Sequence, residues 1–599
     1  MRRQWQVGIA AGVAATVFAG TVRAATPVIL ISVDTLRADR LGVYGYKGAR
    51  TPNIDALAGN GTLFVQADSQ IPLTLPSHTS LFTSSYPFET GVEENGERVP
   101  AGAVTLASVL QAHGYKTAAF IGSCLLNREM GLSRGFDFYD SPFSLQSGLA
   151  ENPYALRVRR DGALVVRAAR QWLEANRGET VFAFIHLFDL HTPYSAPAAV
   201  GRTGSAAYDA ELEYADQVIG RLRQALEQGG WWERSLVILL ADHGESLGDH
   251  GEASHGYFIY QSTVRVPLIM HWPTDSAGHP ARVEEPVGLI DVAPTVLGFL
   301  HIAAPPSFHG VNLLNAVPQA VYSESMYTRD AFQWAPLRGL LIKSPVKSPV
   351  GLHQFGLRQF IQAPRAELYD LVADPHELSD IAGANAAEVH SLEEQLGKLL
   401  AQFAPRRSAS GPDILPLARG ALESLGYLSG GARTGGRGAG PDPKDKLAVY
   451  DLYEKALTAL YGGRPDSAIA GFRAALAEDP HNTLARYYLG DAYLRSGKPD
   501  DALREWTALL AFDPEYAPAD EAIGALWLAR QDYAKARSFF EQALAVAPED
   551  SAAQFELGMV AQRQGQFKEA LQRFETACKA APEASECGQQ LQALREKAK

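Results

Sequence analysis

The sequence predicts an α/β protein in which a mostly parallel β-sheet flanked by helices is followed by an all-α solenoid. Three observations lead there. Short, nearly continuous apolar runs alternate with amphipathic helical patterns up to about residue 428; a Gly-rich stretch follows; and a 34-residue period fills the rest of the chain. The apolar runs at 28–33, 116–121, 181–187, 236–241 and 266–271 read as strands buried on both faces, and 163–175 and 206–228 read as helices covering them. Segment 429–445 has the composition of a flexible linker. After it, Pro480, Pro514, Pro548 and Pro582 stand 34 residues apart, as do Ala468, Ala502, Ala536 and Ala570, and Phe472, Trp506, Phe540 and Phe574. Gly490, Gly524 and Gly558 add a further register. Small residues permit close helix approach, the aromatic is expected to fill the groove of the next unit, and Pro stops the second helix of each pair.

Composition narrows the function classes. The 599 residues are 46% hydrophobic and 20% charged, with net charge −13 and three cysteines. An acidic balance disfavours a nucleic-acid binder, which gains affinity from clustered Lys and Arg. Three cysteines are too few for a disulfide scaffold, and none forms a C-x-x-C pair. At the start, Arg2 and Arg3 precede an uncharged stretch from Val7 to Val22 that ends in Val22-Arg23-Ala24. This is the layout of a secretory signal over 1–24, too short and Gly/Ala-rich for an anchor helix. The expected location is periplasmic or secreted, with no membrane-spanning segment after signal removal. The expected organisation is a catalytic domain over 26–428, the linker over 429–445 and repeats over 446–599.

The phased positions resemble tetratricopeptide repeats, four of them over about 449–582 with a capping helix behind. The resemblance implies a concave surface for a protein partner or for self-association. Cys578 and Cys587 flank the junction with the cap and are candidates for a disulfide in an exported protein. Cys124 reads as a buried thiol.

In the first domain the chemically capable residues fall just past the C-terminal ends of strands, where catalytic groups of α/β sheets are expected. Asp34 follows VILISV, Asp242 and His243 follow LVILLA, and Asp189 and His191 follow VFAFIHL. Thr74 lies in P-L-T-L-P-S-H, ahead of a helix whose free N–H groups would face a bound anion. Two Asp and one His around a hydroxyl suit a divalent cation, which lowers the hydroxyl's pKa and offsets charge on a phosphoryl or sulfuryl group.

At these residues the chain resembles the sulfatase family of the alkaline phosphatase superfamily, over roughly 26–400. The resemblance rests on V-D-T-L-R-A-D-R-L-G-x-Y-G at 33–45, T-P-N-I-D-x-L-A at 51–58, T-L-P-S-H-x-x-L-F-T at 74–83, D-H-G-E at 242–245, H-G at 255–256, R-V-P-L-I at 265–269 and E-L-Y-D-L-x-x-D-P-x-E at 367–377. It implies metal ligation by Asp34, Thr74, Asp242 and His243, with Thr74 at the position of the nucleophile. His191 and His255 match groups that hold the ester oxyanion or protonate the leaving group. The metal is Ca, Mn, Mg or Zn. Asp189 and His186 are candidates for a second metal, against a reading of His186 as a core histidine. Arg37 is read as a carboxylate partner, His250 as a loop-shaping residue and Asp291 as a helix cap.

Three departures bear on chemistry. Thr74 replaces the Cys or Ser that the family oxidises to formylglycine, so no such aldehyde is expected. His78 replaces the motif's Arg as a substrate-side residue, and Asp34-Thr35 replaces an Asp-Asp pair. Thr is the nucleophile of the phosphodiesterase and phosphoethanolamine-transferase branches that the superfamily also contains. The sequence is therefore read as an exported metal-dependent hydrolase of phosphate mono- or diesters acting through Thr74. Alternatives are a sulfuric ester hydrolase of arylsulfatase type, a phosphoethanolamine-type transferase, or an inactive interaction protein that acts through its repeats.

Overall fold

The computed structural model describes residues 26–59, 61–143, 159–347, 353–403, 440–548, 550–580 and 585–597. The predicted signal and the greater part of the predicted linker lie outside the described residues.

The catalytic domain is built on a nine-stranded sheet: β1 (Val28–Val33), β2 (Gly61–Asp68), β3 (Lys116–Phe120), β4 (Phe138–Asp140), β5 (Val181–Leu187), β6 (Leu236–Leu240), β7 (Arg265–His271), β8 (Arg282–Val283) and β9 (Val287–Gly288). Its order is β4-β3-β5-β1-β6-β7-β2-β8, with β9 also on β2. The centre is parallel, β1 lying between β5 and β6, with Val28 opposite both Phe182 and Leu236. Every residue of β1, β5 and β6 is buried, which is why these strands read as unbroken apolar runs. The strand expected at 266–271 forms as β7 but runs antiparallel to β6 and β2. Helices Gly162–Ala175 and Gly204–Gln228 match their predicted positions closely.

A second sheet, which the apolar runs did not disclose, is antiparallel: β10 (Ala320–Ser325), β11 (Leu337–Lys347), β12 (His353–Gln362) and β13 (Glu367–Asp370), in that order. Leu392 and Leu396 of the helix Ala386–Gln402 cover it, packing with Leu340, Phe360 and Leu368.

From Leu447 to Lys597 the described chain is a run of helices paired at the predicted period: Leu447–Tyr461 with Pro465–Glu478, Thr483–Arg495 with Pro499–Phe512, Ala517–Ala529 with Tyr533–Val546, Ser551–Arg563 with Phe567–Ala580, then the capping helix Ser585–Lys597. The repeat aromatics pack against the next unit, Phe472 on Tyr488 and Phe540 with Leu557 and Val560. In the last three repeats the aromatic also lies over the glycine of its own first helix. A Cβ on Gly524 would stand 2.7 Å from the Phe540 ring, and one on Gly558 2.6 Å from Phe574. Cys578 is disulfide-bonded; the side chain of Cys587 lies outside the described residues. Cys124 is buried, which pushes its thiol up to about 12. Among the described residues no helix is long and apolar enough to cross a membrane.

The two parts share one apolar core. Tyr257, Phe258, Phe332 and Trp334 of the catalytic domain cluster with Tyr450, Tyr453, Phe472 and Tyr488 of the repeats. The Tyr257 and Tyr450 rings lie 4.4 Å apart, and those of Phe332 and Tyr453 5.2 Å. Polar contacts fix the register. Tyr257 Oη donates to the Pro443 carbonyl (2.6 Å), Trp334 Nε1 to Asp479 (2.8 Å), and Gln333 Nε2 to Thr483 (3.2 Å) and Asp513 (3.1 Å).

Candidate active site

The C-terminal ends of β1 and β6 meet the helix Thr74–Thr83, and there the structure brings together Asp34, Thr74, Asp242 and His243, each completely buried. Thr74 opens its helix and presents its hydroxyl between two of them, donating to Asp34 Oδ2 at 3.2 Å and lying 3.4 Å from His243 Nε2. Local bonds aim these groups. The Leu75 N–H donates to Asn95 Oδ1 (2.9 Å) and Ser77 Oγ to the Asp242 carbonyl (2.7 Å), which ties the helix start to the end of β6. His243 Nδ1–H donates to the Gly244 carbonyl (2.9 Å), leaving the Nε2 lone pair toward Thr74. Behind Asp34, Thr35 adopts φ 55°, a conformation that a β-branched residue seldom takes. Tyr208 stabilises this turn by donating to the Thr35 carbonyl and accepting the Arg37 N–H.

Asp34, Asp242 and His243 offer ligand atoms within 4.8 Å of one another. His78, His186 and Asp242 form a second such group. Among the described residues, Asp34 Oδ1, Asp242 Oδ2 and both ring nitrogens of His186 are buried without a hydrogen-bond partner, and His186 Nε2 lies 3.5 Å from Asp34 Oδ2. Burial pushes the Asp34 carboxyl above its ordinary range, and burial together with the Asp34 charge does the same for Asp242. Burial also pushes His186 down to about 3, so it is a neutral imidazole. Unsatisfied carboxylate and imidazole atoms facing one another are the donor set of a divalent cation, and the residues present fit one.

The flanking histidines differ in character. His255 Nδ1 is shared by Glu245 (3.2 Å) and Ser254 (3.2 Å), and its ring lies 4.4 Å from His243. Burial opposes its imidazolium, but Glu245, then Asp34 and Asp242, outweigh that and hold its pKa above the ordinary value. His191 stacks on Phe188 at 4.5 Å and donates from Nδ1 to the Thr192 carbonyl at 2.6 Å, which turns its Nε2 into an acceptor. Burial first, then the His255 charge, press its pKa down to about 3.

Two expected site residues stand elsewhere in the network. His78 turns both nitrogens inward, to the Thr74 carbonyl (2.7 Å) and Ser32 Oγ (2.9 Å), so it braces the helix under Thr74 instead of facing a substrate. Asp189 accepts the Gly162 N–H (3.0 Å) at the start of the helix Gly162–Ala175 and joins neither ligand group. Arg37 pairs with Asp39 and Asp249, as expected of a carboxylate partner, and also donates to the Glu245 and Ser246 carbonyls. His250 stacks on Tyr260 within its loop. Asp291 accepts from the Gly288 and Val311 N–H groups, the first closing a capping box at the start of the short helix Leu289–Asp291. Sequence reasoning did not single out Glu245, although the D-H-G-E motif contains it, or Asn95, which no sequence signal marks.

Residues 26–302 match the sulfatase family model, and 248–404 match the C-terminal region model of N-sulphoglucosamine sulphohydrolase. Residues 453–517 and 515–583 match tetratricopeptide repeat models. The ulvan-active sulfatase of Formosa agariphila is 24% identical over 421 residues, covering 63% of this chain and 81% of that protein. Mouse steryl-sulfatase is 27% identical over 382 residues, covering 45% of this chain and 61% of that protein. Among solved structures, the phosphonate monoester hydrolase of Agrobacterium radiobacter shares the fold with TM-score 0.51 at 20% identity, covering 63% of this chain and 96% of its own. The chain belongs to the sulfatase superfamily of hydrolases, which act on sulfuric and phosphoric esters, and carries a tetratricopeptide-repeat array fused behind its catalytic domain.

Proposed function

We propose that this protein hydrolyses phosphate mono- or diesters through Thr74, in the periplasm or outside the cell. The observation that carries the reading is the Thr74 hydroxyl, set at a helix start between Asp34 and His243. Asp34, Thr74, Asp242 and His243 would hold a divalent cation, with His186 adjoining them. Such a cation lowers the hydroxyl's pKa and offsets charge on the ester oxygens. Thr74 Oγ attacks phosphorus as its proton passes to Asp34 Oδ2, and the bond to the leaving oxygen breaks in line. His255, held protonated by Glu245, donates to the departing oxygen. His191 Nε2, an acceptor, takes a proton from the water that attacks phosphorus; the bond to Thr74 Oγ breaks, Asp34 returns its proton to that oxygen, and phosphate or a phosphate monoester leaves. Export is supported by the basic, apolar and small-residue sequence of the first 24 positions. The repeats are read as a surface for a protein partner or for self-association.

A second reading, sulfate ester hydrolysis without formylglycine, is favoured by the sulfatase names of the relatives. The test is to strip the protein, reload it with Mn, Zn, Mg or Ca, and assay aryl sulfate, phosphate monoester and phosphodiester. Asp242→Ala serves as the control. Turnover of phosphate esters is the expected result. Turnover of sulfate alone overturns the phosphoryl reading, and no turnover with any metal favours an interaction protein.

A further inference from the structure

Residues that the ester site leaves unused meet around a cleft of their own. Arg37, Asp39 and Tyr44 come from the loop after β1, Asp249 from the loop after β6, Arg265 from the first position of β7, and Glu377 from the loop that leaves β13. The cleft they line has a volume of about 590 Å³, and none of its lining residues belongs to the Thr74 cluster. Clefts of roughly 300–1,000 Å³ are usual for small molecules. The walls are pinned to one another. Glu377 Oε2 accepts the Gln261 N–H (2.7 Å), and His250 Nε2 donates to the His376 carbonyl (3.1 Å), so the loop of the second sheet is tied to the first at two points. A ligand there meets walls that are already ordered, which spares the entropy of arranging them.

Charge on these walls is unevenly matched. Arg37 lies between Asp39 (2.8 Å) and Asp249 (2.9 Å), and Arg40 faces Asp209 at 3.6 Å. Arg265 makes no ion pair among the described residues. Its Nη2 donates to the Val65 carbonyl (3.0 Å), and its Nε is buried without a partner among the described residues. This guanidinium is half-buried and lies 5.9 Å from the centre of the Tyr44 ring. The Asp39 and Asp249 side chains stay 38% and 46% exposed while they hold Arg37. The cleft therefore presents one uncompensated guanidinium, two accessible carboxylates and the aromatic surface of Tyr44.

That set selects a ligand by elimination. One anionic group gains at Arg265, whereas a second would meet Asp39 and Asp249. The two carboxylates can only accept hydrogen bonds, so they call for donors. Arg37 lies directly between them and repels an ammonium, whereas a hydroxyl donates without bringing charge. We propose that this cleft binds a polyhydroxylated ring with a single anionic group, of the class of a hexuronic acid, with its carboxylate at Arg265 and its hydroxyls at Asp39 and Asp249. The site does not depend on the ester-hydrolase reading.

The test is a ligand-observed NMR titration of the full chain with glucuronate, glucose and acetate, which separate ring with charge, ring alone and charge alone. Glucuronate is expected to bind at least about tenfold tighter than either of the others. Arg265→Gln brings glucuronate down to the affinity of glucose and leaves glucose unchanged, whereas Arg265→Lys restores the charge and retains most of the preference. Asp249→Asn keeps an oxygen for Arg37 and weakens glucuronate and glucose alike, about three- to tenfold, so the site is tested even if Arg265→Gln does not fold. Thr74→Ala changes none of these values. Binding of none of the probes, acetate or glucose matching glucuronate, a preference that survives Arg265→Gln, or binding lost in Thr74→Ala overturns the site. Glucuronate bound as expected by a protein that hydrolyses no ester overturns the hydrolase reading alone.

Discussion

Two clusters of charge sit on the same pair of loops and are built on opposite principles. Around Thr74, Asp34 and Asp242 each carry a buried oxygen that has no partner among the described residues, and the nearest imidazoles are pressed toward neutrality. A few residues further along each loop, Arg37 meets Asp39 and Asp249 and donates to two carbonyls, so its positive charge is compensated on every side. The paired cluster holds the loop in shape. The unpaired one stores an electrostatic deficit that a cation and a substrate would relieve. Chemistry is placed where the fold leaves polar groups unsatisfied, and stability where it satisfies them.

The largest effect that tests this contrast is Thr74→Ala. Turnover of the best substrate should fall roughly 10⁴-fold, the scale of losing a nucleophile, while thermal stability stays unchanged; retained activity breaks the assignment. Next is Arg37→Ala, which leaves two carbonyls and two carboxylates without their donor. Denaturant unfolding should show a loss of about 2–3 kcal/mol, tempered because Asp39 and Asp249 are partly in water. A loss below the error of the measurement would mean that the paired cluster does not hold the loop.

Asp189→Asn sharpens the comparison through pH. Burial raises the Asp189 carboxyl to about 7 in the folded protein. The folded state therefore favours the protonated acid, and the wild type loses stability as pH rises from the unfolded pKa near 4 through about 7. The variant keeps the acceptor for the Gly162 N–H without the charge. It should be more stable than wild type by about 1–3 kcal/mol at pH 8 and equal to it at pH 4. A difference that does not vary with pH would show that the buried charge is not what matters. The smallest effect belongs to Glu227→Gln, which removes the exposed Arg223 pair (2.9 Å) and should change stability by no more than about 0.5 kcal/mol.

Much of this was legible from residues. Strands β1, β5 and β6 announce themselves because burial on both faces removes any polar alternation, and the 34-residue period needs only counting. The motif residues Asp34, Thr74, Asp242 and His243 do converge. The second sheet was not legible: β10 to β13 mix polar and apolar residues, and their pairing is decided by partners distant in sequence. His78 shows the same limit. Its type suggests a substrate contact, but Ser32, 46 positions away in the chain, captures its second nitrogen. The orientation of Asp189 depends likewise on where the helix at Gly162 begins.

The glycine under each repeat aromatic has a consequence for how such a chain can change length. Because Phe540 seats on Gly524 and Phe574 on Gly558, each inside its own unit, a tandem duplication of 34 residues copies a lock together with its key. Growth or loss of whole units in the distal array leaves every remaining lock intact. The first unit is excluded from that freedom. It carries Ala456 at the glycine position and has Tyr450 and Tyr453 committed to the neighbouring domain, so it is the fixed end from which the array can be extended or trimmed.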